Sequence, residues 1–216
     1  FIDKGYKLPK PFIQISGKPI VQHVVEMFPG LEEVLFIVNR EHFEDKELRI
    51  ESRLARVFPN AEIAVIDSHK LGPAWAILQA REYINLNSPV VVNYCDFGCT
   101  WDFPAFREQL ESGIDGLIAT YSGFHPHMLR NTQYAYLKVN EFGNLVEIQE
   151  KLSFTTSPML EPASSGTYGF GTGQILLDAI KKQIESGDSY NNEYYSSLTF
   201  KNMITSGKVI KNFQIE

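Results

Sequence analysis

Three short apolar runs, separated by helix-like stretches, constrain the fold of this chain more than any other feature. Val34-Leu35-Phe36-Ile37-Val38, Ala61-Glu62-Ile63-Ala64-Val65-Ile66 and Val90-Val91-Val92-Asn93-Tyr94-Cys95 are rich in the β-branched and aromatic side chains that favour strands. The first and last are continuous enough to read as strands buried on both faces. Around them the apolar spacing becomes helical: Ile20, Val24, Met27 and Phe28 up to Pro29-Gly30, then a polar stretch over 41–58 carrying Leu48, Leu54 and Val57. Residues 72–83, with Ala74, Ile77 and Leu78 on one face, and residues 104–110 complete the set. Strands alternating with helices of this length are βαβ units, so a parallel sheet with helices on both faces is expected. In such sheets ligands bind outside the carboxyl ends of the strands.

After Gly113 the pattern changes. Leu117-Ile118-Ala119-Thr120-Tyr121, Tyr134-Ala135-Tyr136-Leu137-Lys138-Val139 and Leu145-Val146-Glu147-Ile148-Gln149 predict strands joined by short or polar loops, with Glu141-Phe142-Gly143-Asn144 as a hairpin turn. Helices are predicted over 174–184 and 194–204, and a last strand over 208–215. The second half thus adds antiparallel strands to a parallel core. No repeat or linker forces a boundary, and 216 residues suit one α/β domain. The break in pattern divides it into a half over about 1–112 with alternating strands and helices and a half over about 113–216 with added antiparallel strands. The chain opens on Phe1 and closes on strand-like residues, so the expectation is a domain incomplete at both ends.

Charge and cysteine content exclude several classes. Lys and Arg number 20 against 26 Asp and Glu, a net charge of −6. That balance argues against a nucleic-acid or anionic-membrane surface but not against one nucleotide held by a few lysines. No apolar run approaches the ~20 residues needed to span a bilayer, and no signal segment opens the chain. A cytoplasmic protein is expected. Cys95 and Cys99, the only two cysteines, have neither zinc nor redox spacing, and Cys95 reads as a small buried residue. His125 and His127 beside Tyr121 read as polar surface rather than a metal site. The tyrosines at 190, 194 and 195, with Asn191 and Asn192, read as helix capping, with an acceptor pocket as the alternative.

Four segments could carry chemistry. In Leu8-Pro9-Lys10-Pro11 two prolines lock the backbone around a lysine, which gives either a fixed charge for a phosphate or a solvated surface loop. Asp96, directly after an apolar strand, is either a hard oxygen ligand for Mg²⁺ or a turn or helix-capping aspartate. In Leu71-Gly72-Pro73-Ala74 a glycine permits close backbone approach before a helix start, although Gly-Pro also simply opens helices. Glu150-Lys151, followed by Ser165-Gly166-Thr167-Tyr168-Gly169-Phe170, reads by default as a solvated charge pair and a glycine turn.

Taken in order, these segments resemble the nucleotidyltransferases that activate sugar phosphates and related phosphorylated alcohols. The stretch from Gly5 to Ile13, with Gly17-Lys18-Pro19-Ile20, is similar to that family's Pro-Lys-Pro segment and the Gly-Lys-Pro helix after it. The resemblance implies a Rossmann-like three-layer sandwich: a mostly parallel mixed sheet, helices on both faces, and an added antiparallel acceptor-side subdomain. It implies phosphate contact for Lys10, the metal ligand for Asp96, base recognition at Gly72, and contact with the acceptor and its phosphate by Glu150 and Lys151. Gly166 and Tyr168 then match the segment beneath the acceptor. Lys10, Asp96 and Lys151 are the implied catalytic residues, and Mg²⁺ the implied cofactor. A glycine-rich phosphate loop is expected before Phe1, and a second metal carboxylate near or past Glu216.

The implied reaction joins a nucleoside triphosphate to a sugar 1-phosphate or similar acceptor and releases pyrophosphate, for precursors of capsule or other surface polysaccharide. Its partners are those two small molecules, with no nucleic acid and no membrane span, and a homo-oligomer is admitted. A cytidylyltransferase for a non-sugar phosphate and a non-catalytic nucleotide-sugar-binding relative are the alternatives. A metal-dependent glycosyltransferase is disfavoured, because Gly98 stands where its Asp-x-Asp motif needs a second carboxylate.

Overall fold

In a computed structural model, residues 8–125, 128 and 132–215 are described. Gly5, Tyr6 and Lys7 of the first motif, together with His127 and Glu216, lie outside the described residues.

The chain folds in three layers, and strand β6 (Gly116–Tyr121) shows why. Successive side chains of a strand point to opposite faces. Leu117 and Ala119 enter a cluster with Val24, Met27 and Phe28 from helix α1 (Ile20–Glu26) and its end, and with Phe103, Phe106 and Leu110 of α5 (Phe103–Glu111). Ile118 enters a second cluster on the other face, with Ala74 and Ile77 of α4 (Pro73–Gln79), Leu176 and Ile180 of α6 (Gly173–Ser186) and Phe200 and Met203 of α7 (Thr199–Thr205). One sheet is therefore sealed by helices on both sides.

At the centre of that sheet lies β9 (Ala163–Phe170), all eight residues buried. It runs antiparallel to β6 on one side and to β5 (Val90–Asn93) on the other, and touches β7 (Ala135–Val139) through Tyr136 and Ala163. β5 and β6 thus share a direction, and β10 (Ile210–Gln214) extends β6 in parallel. β7 forms an antiparallel hairpin with β8 (Leu145–Glu150), closed at Gly143. A separate parallel pair, β3 (Leu35–Asn39) and β4 (Glu62–Ile66), packs on α3 (Ile50–Val57) and α1 through Phe36, Val38 and Ile63. A two-residue hairpin, β1 (Gln14–Ile15) with β2 (Lys18–Pro19), precedes α1.

Several expectations are corrected. Segment 165–170, read as a glycine turn, is the core of β9. Its small residues suit a position pressed by α5: a Cβ on Gly169 would sit 3.0 Å from Leu110 and 3.1 Å from Phe106. The helical stretch over 41–58 divides into α2 (Arg40–Glu44) and α3, with Arg49 in the left-handed region at φ 47°. Residues 194 and 195 precede α7 as an extended segment. β3 and β5, expected to be buried on both faces, are half-buried throughout. Among the described residues β3 pairs only with β4 and β5 only with β9, so each leaves one edge without a neighbour. Cys95, expected inside, is exposed just past the end of β5.

Candidate active site

The site forms where β5 ends. Pro9 and Pro11 bracket a single 3₁₀ turn, Lys10–Phe12, closed by the Phe12 N–H donating to the Pro9 carbonyl at 2.9 Å. Phe12 is 5 % exposed and packs with Val21, Ile50 and Leu54, so this turn is nailed to the core while the lysine points outward. Eighty-six positions later, Asp96 follows β5, and the Lys10 ammonium donates to its Oδ2 in an ion pair. The side chains are 42 % and 34 % exposed, so solvent screens the pair and its value to stability is small, about 0–1 kcal/mol. Asp96 caps no helix.

β9 fixes this strand end from beneath. The Tyr94 N–H donates to the Gly166 carbonyl at 3.2 Å, and the Thr167 hydroxyl donates to Asn93 Oδ1. Gly166 is in the left-handed region at φ 82°, and a Cβ there would stand 3.1 Å from the Tyr94 ring. Glycine supplies both the left-handed backbone and the room for that ring. Tyr168, expected among the substrate-binding residues, is 2 % exposed and its hydroxyl accepts from Ser164 at 2.9 Å. It meets Tyr94 edge-on at 5.9 Å. Burial pushes its hydroxyl far above the ordinary tyrosine value. Tyr168 therefore supports the site from below and has no surface to offer a ligand.

Tyr134, which sequence reasoning passed over, links the segment after β5 to the end of β8. Its ring packs edge-on against Phe97 at 5.8 Å and Tyr121 at 6.0 Å, beside His125. Burial, and then the Asp96 charge, raise its hydroxyl. Its main-chain carbonyl accepts from the Lys151 N–H at 3.1 Å, so the residue that walls Asp96 also seats Lys151. No local pattern marks it: it lies at the mouth of β7, and only the sheet brings it to β5.

Glu150 and Lys151 part company rather than pairing. Glu150 points inward, is 8 % exposed, and accepts from the Ser197 hydroxyl at 2.5 Å. Burial pushes its carboxyl above the usual range, against the Ser197 hydrogen bond and the Lys151 charge. Lys151 turns outward through a left-handed backbone at φ 56°. Its ammonium donates to the Tyr195 hydroxyl at 2.6 Å and lies over the Tyr195 and Tyr190 rings at 4.3 and 5.4 Å. Burial works to lower this lysine, but the Tyr195 hydrogen bond and the surrounding negative charge outweigh it and raise it.

Gly72 answers to a neighbour that sequence reasoning did not supply. Its φ is 88°, and a Cβ would stand 2.7 Å from both N and O of Tyr194. The Ala74 N–H donates to the Tyr194 carbonyl at 2.9 Å, while the Tyr194 N–H donates to the Leu71 carbonyl at 2.8 Å. One face of the Leu71–Ala74 turn is therefore committed to the segment over 190–195.

Among the described residues no group of three or more His, Cys, Asp or Glu side chains could hold a metal alone. One exposed carboxylate next to a lysine nevertheless fits Mg²⁺, which commonly takes one or two carboxylates and completes its shell with water and substrate phosphates.

No protein-family model matches the chain. The bifunctional protein GlmU of Clostridioides difficile is 25 % identical over 96 % of this chain, which spans 43 % of that relative's length. Among solved structures, the nucleoside-diphosphate-sugar pyrophosphorylase of Vibrio cholerae superposes with a TM-score of 0.78 at 18 % identity, covering 99 % of this chain and 86 % of that one. The inositol-1-phosphate CTP transferase of T. maritima gives 0.67 at 14 % identity, covering 96 % and 77 %. Likeness at such identity speaks for the fold, and the GlmU match extends it to sequence over nearly all of the chain. The chain is thus similar in fold to sugar-phosphate nucleotidyltransferases and, at 25 % identity, similar in sequence to GlmU.

Proposed function

We propose that the chain carries a nucleotidyl-transfer site. An oxygen of the acceptor's phosphate attacks the α-phosphorus of a nucleoside triphosphate, the new P–O bond forms in line with the one that breaks, and pyrophosphate leaves. The observation that carries this reading is the meeting of Lys10 with Asp96 at the carboxyl end of β5, 86 positions apart in sequence. Catalysis of this kind rests on positioning and charge neutralisation.

In this reading Lys10 neutralises charge on the triphosphate, and Asp96 is the side chain that would hold Mg²⁺. When bound, the ion supplies positive charge against the phosphate oxygens. Lys151 holds the acceptor phosphate, and Glu150, expected to meet the acceptor, supports the floor beneath it through Ser197. The Gly72 turn faces the base with the side that Tyr194 leaves open. Gly166 and Tyr168 act from beneath by fixing Tyr94 and with it the end of β5. The nucleotide is assigned to the half over about 1–112 and the acceptor to the half over about 113–216. A sugar 1-phosphate is the proposed acceptor, in precursor synthesis for capsule or other surface polysaccharide.

The test is pyrophosphate release by the whole protein, with each of the four common triphosphates, Mg²⁺ and a panel of sugar 1-phosphates. Asp96→Asn keeps the shape and removes the charge, so it should lower kcat by on the order of 10²-fold. An Asp96→Asn enzyme of undiminished rate would sink the assignment. Turnover with CTP and a polyol phosphate alone would favour the cytidylyltransferase alternative.

A further inference from the structure

The segment over 190–195 is built as a rigid strap. Asn191 and Asn192 both lie in the left-handed region, at φ 51° and 63°, and form a two-residue turn. It is closed by reciprocal main-chain hydrogen bonds of 3.0 Å between Tyr190 and Glu193. Asparagine tolerates that backbone better than most residues, and paired left-handed residues are what such a tight turn demands. Past the turn the main chain is held at three points. Tyr194 exchanges hydrogen bonds with Leu71 and Ala74, and the fully buried Gln183 donates from Nε2 to the Tyr195 carbonyl at 3.1 Å. Ser196 and Ser197, both fully buried, then carry the strap into the core, where Ser197 meets Glu150. Little freedom is left to the Tyr195 backbone.

That rigidity matters because of what Tyr195 holds. A lysine side chain has four rotatable bonds and ordinarily keeps its ammonium mobile in water. Here the Lys151 ammonium is confined on two sides, by the Tyr195 hydroxyl at 2.6 Å and by the Tyr190 and Tyr195 rings. Its backbone, at φ 56°, is set in turn by the Tyr134 carbonyl and by the Thr132 hydroxyl, which donates to the Lys151 carbonyl at 2.5 Å. Both ends of the side chain are therefore placed before any ligand arrives. The phenol oxygen takes one of the three ammonium donors and leaves the others for an anion.

We infer that Tyr195 is a positioning residue: through its hydroxyl it aims the Lys151 ammonium, so that an acceptor phosphate meets a charge already in place. The inference deepens the reading of Lys151 given above and rests on it for the identity of the anion. It does not rest on it for the arrangement of the lysine. Preorganisation of this kind lowers the entropic cost of binding without adding a contact to the ligand.

Tyr195→Phe is the appropriate variant, because it keeps the ring over Lys151 and removes only the hydroxyl. In the whole protein, the labelling rate of each lysine by a water-soluble amine-acylating reagent is read by peptide mass spectrometry. Lys151 should be labelled about tenfold faster in Tyr195→Phe than in wild type, the scale of one lost hydrogen bond to a charged group, with Lys138 and Lys182 unchanged. The same variant should raise KM for the acceptor about tenfold and leave kcat and KM for the triphosphate near wild type. Equal Lys151 labelling in the two proteins overturns the inference, and so does a fall in kcat without a change in acceptor KM. A wild-type protein that releases no pyrophosphate while Lys151 labelling still rises would keep the arrangement and remove the acceptor reading.

Discussion

At the scale of single residues, the site separates charges that sequence alone would have paired. Glu150 and Lys151 are neighbours in the chain, yet one carboxyl goes into the floor and one ammonium goes out to the tyrosines. The backbone explains the division: β8 ends at Glu150, and the left-handed turn at Lys151, φ 56°, sends the next side chain outward. Burial makes Glu150 titrate above the ordinary glutamate value. The fold therefore favours its protonated form, and the stability this brings is present at low pH and is lost as pH rises through the raised value. Glu150→Gln imitates the protonated side chain and can still accept from Ser197. The variant should be more stable than wild type at neutral pH by about 1 kcal/mol, the scale of a desolvated polar group, and the gap should close on acidification. Melting curves from about pH 4 to pH 8 measure it, and a gap that does not vary with pH would show that Glu150 is not desolvated.

At the scale of elements, legibility followed composition. β3 and β4 were visible because their runs are apolar and β-branched, and α5 and α6 because their buried residues recur at helical spacing. β9 was not visible, although it is the most buried strand, because Ala163, Ser164, Ser165, Gly166 and Gly169 carry little side chain to form a pattern. Its smallness is set by what packs on it. Gly169 faces Leu110 and Phe106, so Gly169→Val should force α5 outward and destabilise the fold by about 1–3 kcal/mol, seen as a lower midpoint in urea unfolding. An unchanged midpoint would mean that α5 is not seated on β9. The same logic applies to the candidate site. Lys10 and Asp96 announced themselves by their prolines and by the strand before them. Tyr134 did not, and Tyr195 stood out only within a tyrosine cluster read as helix capping, because what places them is the pairing of β7 with β8 and β9, and a strap anchored at Leu71, Ala74 and Gln183.

At the scale of the whole molecule, the layered sheet does two jobs. Its two apolar faces hold the helices, and the end of β5 carries polar residues that the helices leave uncovered. No helix among the described residues is long and apolar enough to cross a membrane. A net charge of −6 would by itself repel a triphosphate, so in the proposed function attraction has to be local, and Lys10 and Lys151 are the side chains proposed to supply it. The contact between Lys10 and Asp96 has one more consequence, which concerns handling rather than catalysis. The fold brings its own counterion to that carboxylate, as a tethered amine instead of an ion drawn from solution. The folded chain therefore needs no divalent cation to neutralise Asp96. Millimolar EDTA should leave the melting temperature of the protein within about 1 °C of its value in plain buffer, whereas a drop of several degrees would show that a cation had been part of the folded state. Chelator can then be kept in every buffer up to the assay, guarding Cys95 and Cys99 from metal-catalysed oxidation at no expense to the fold.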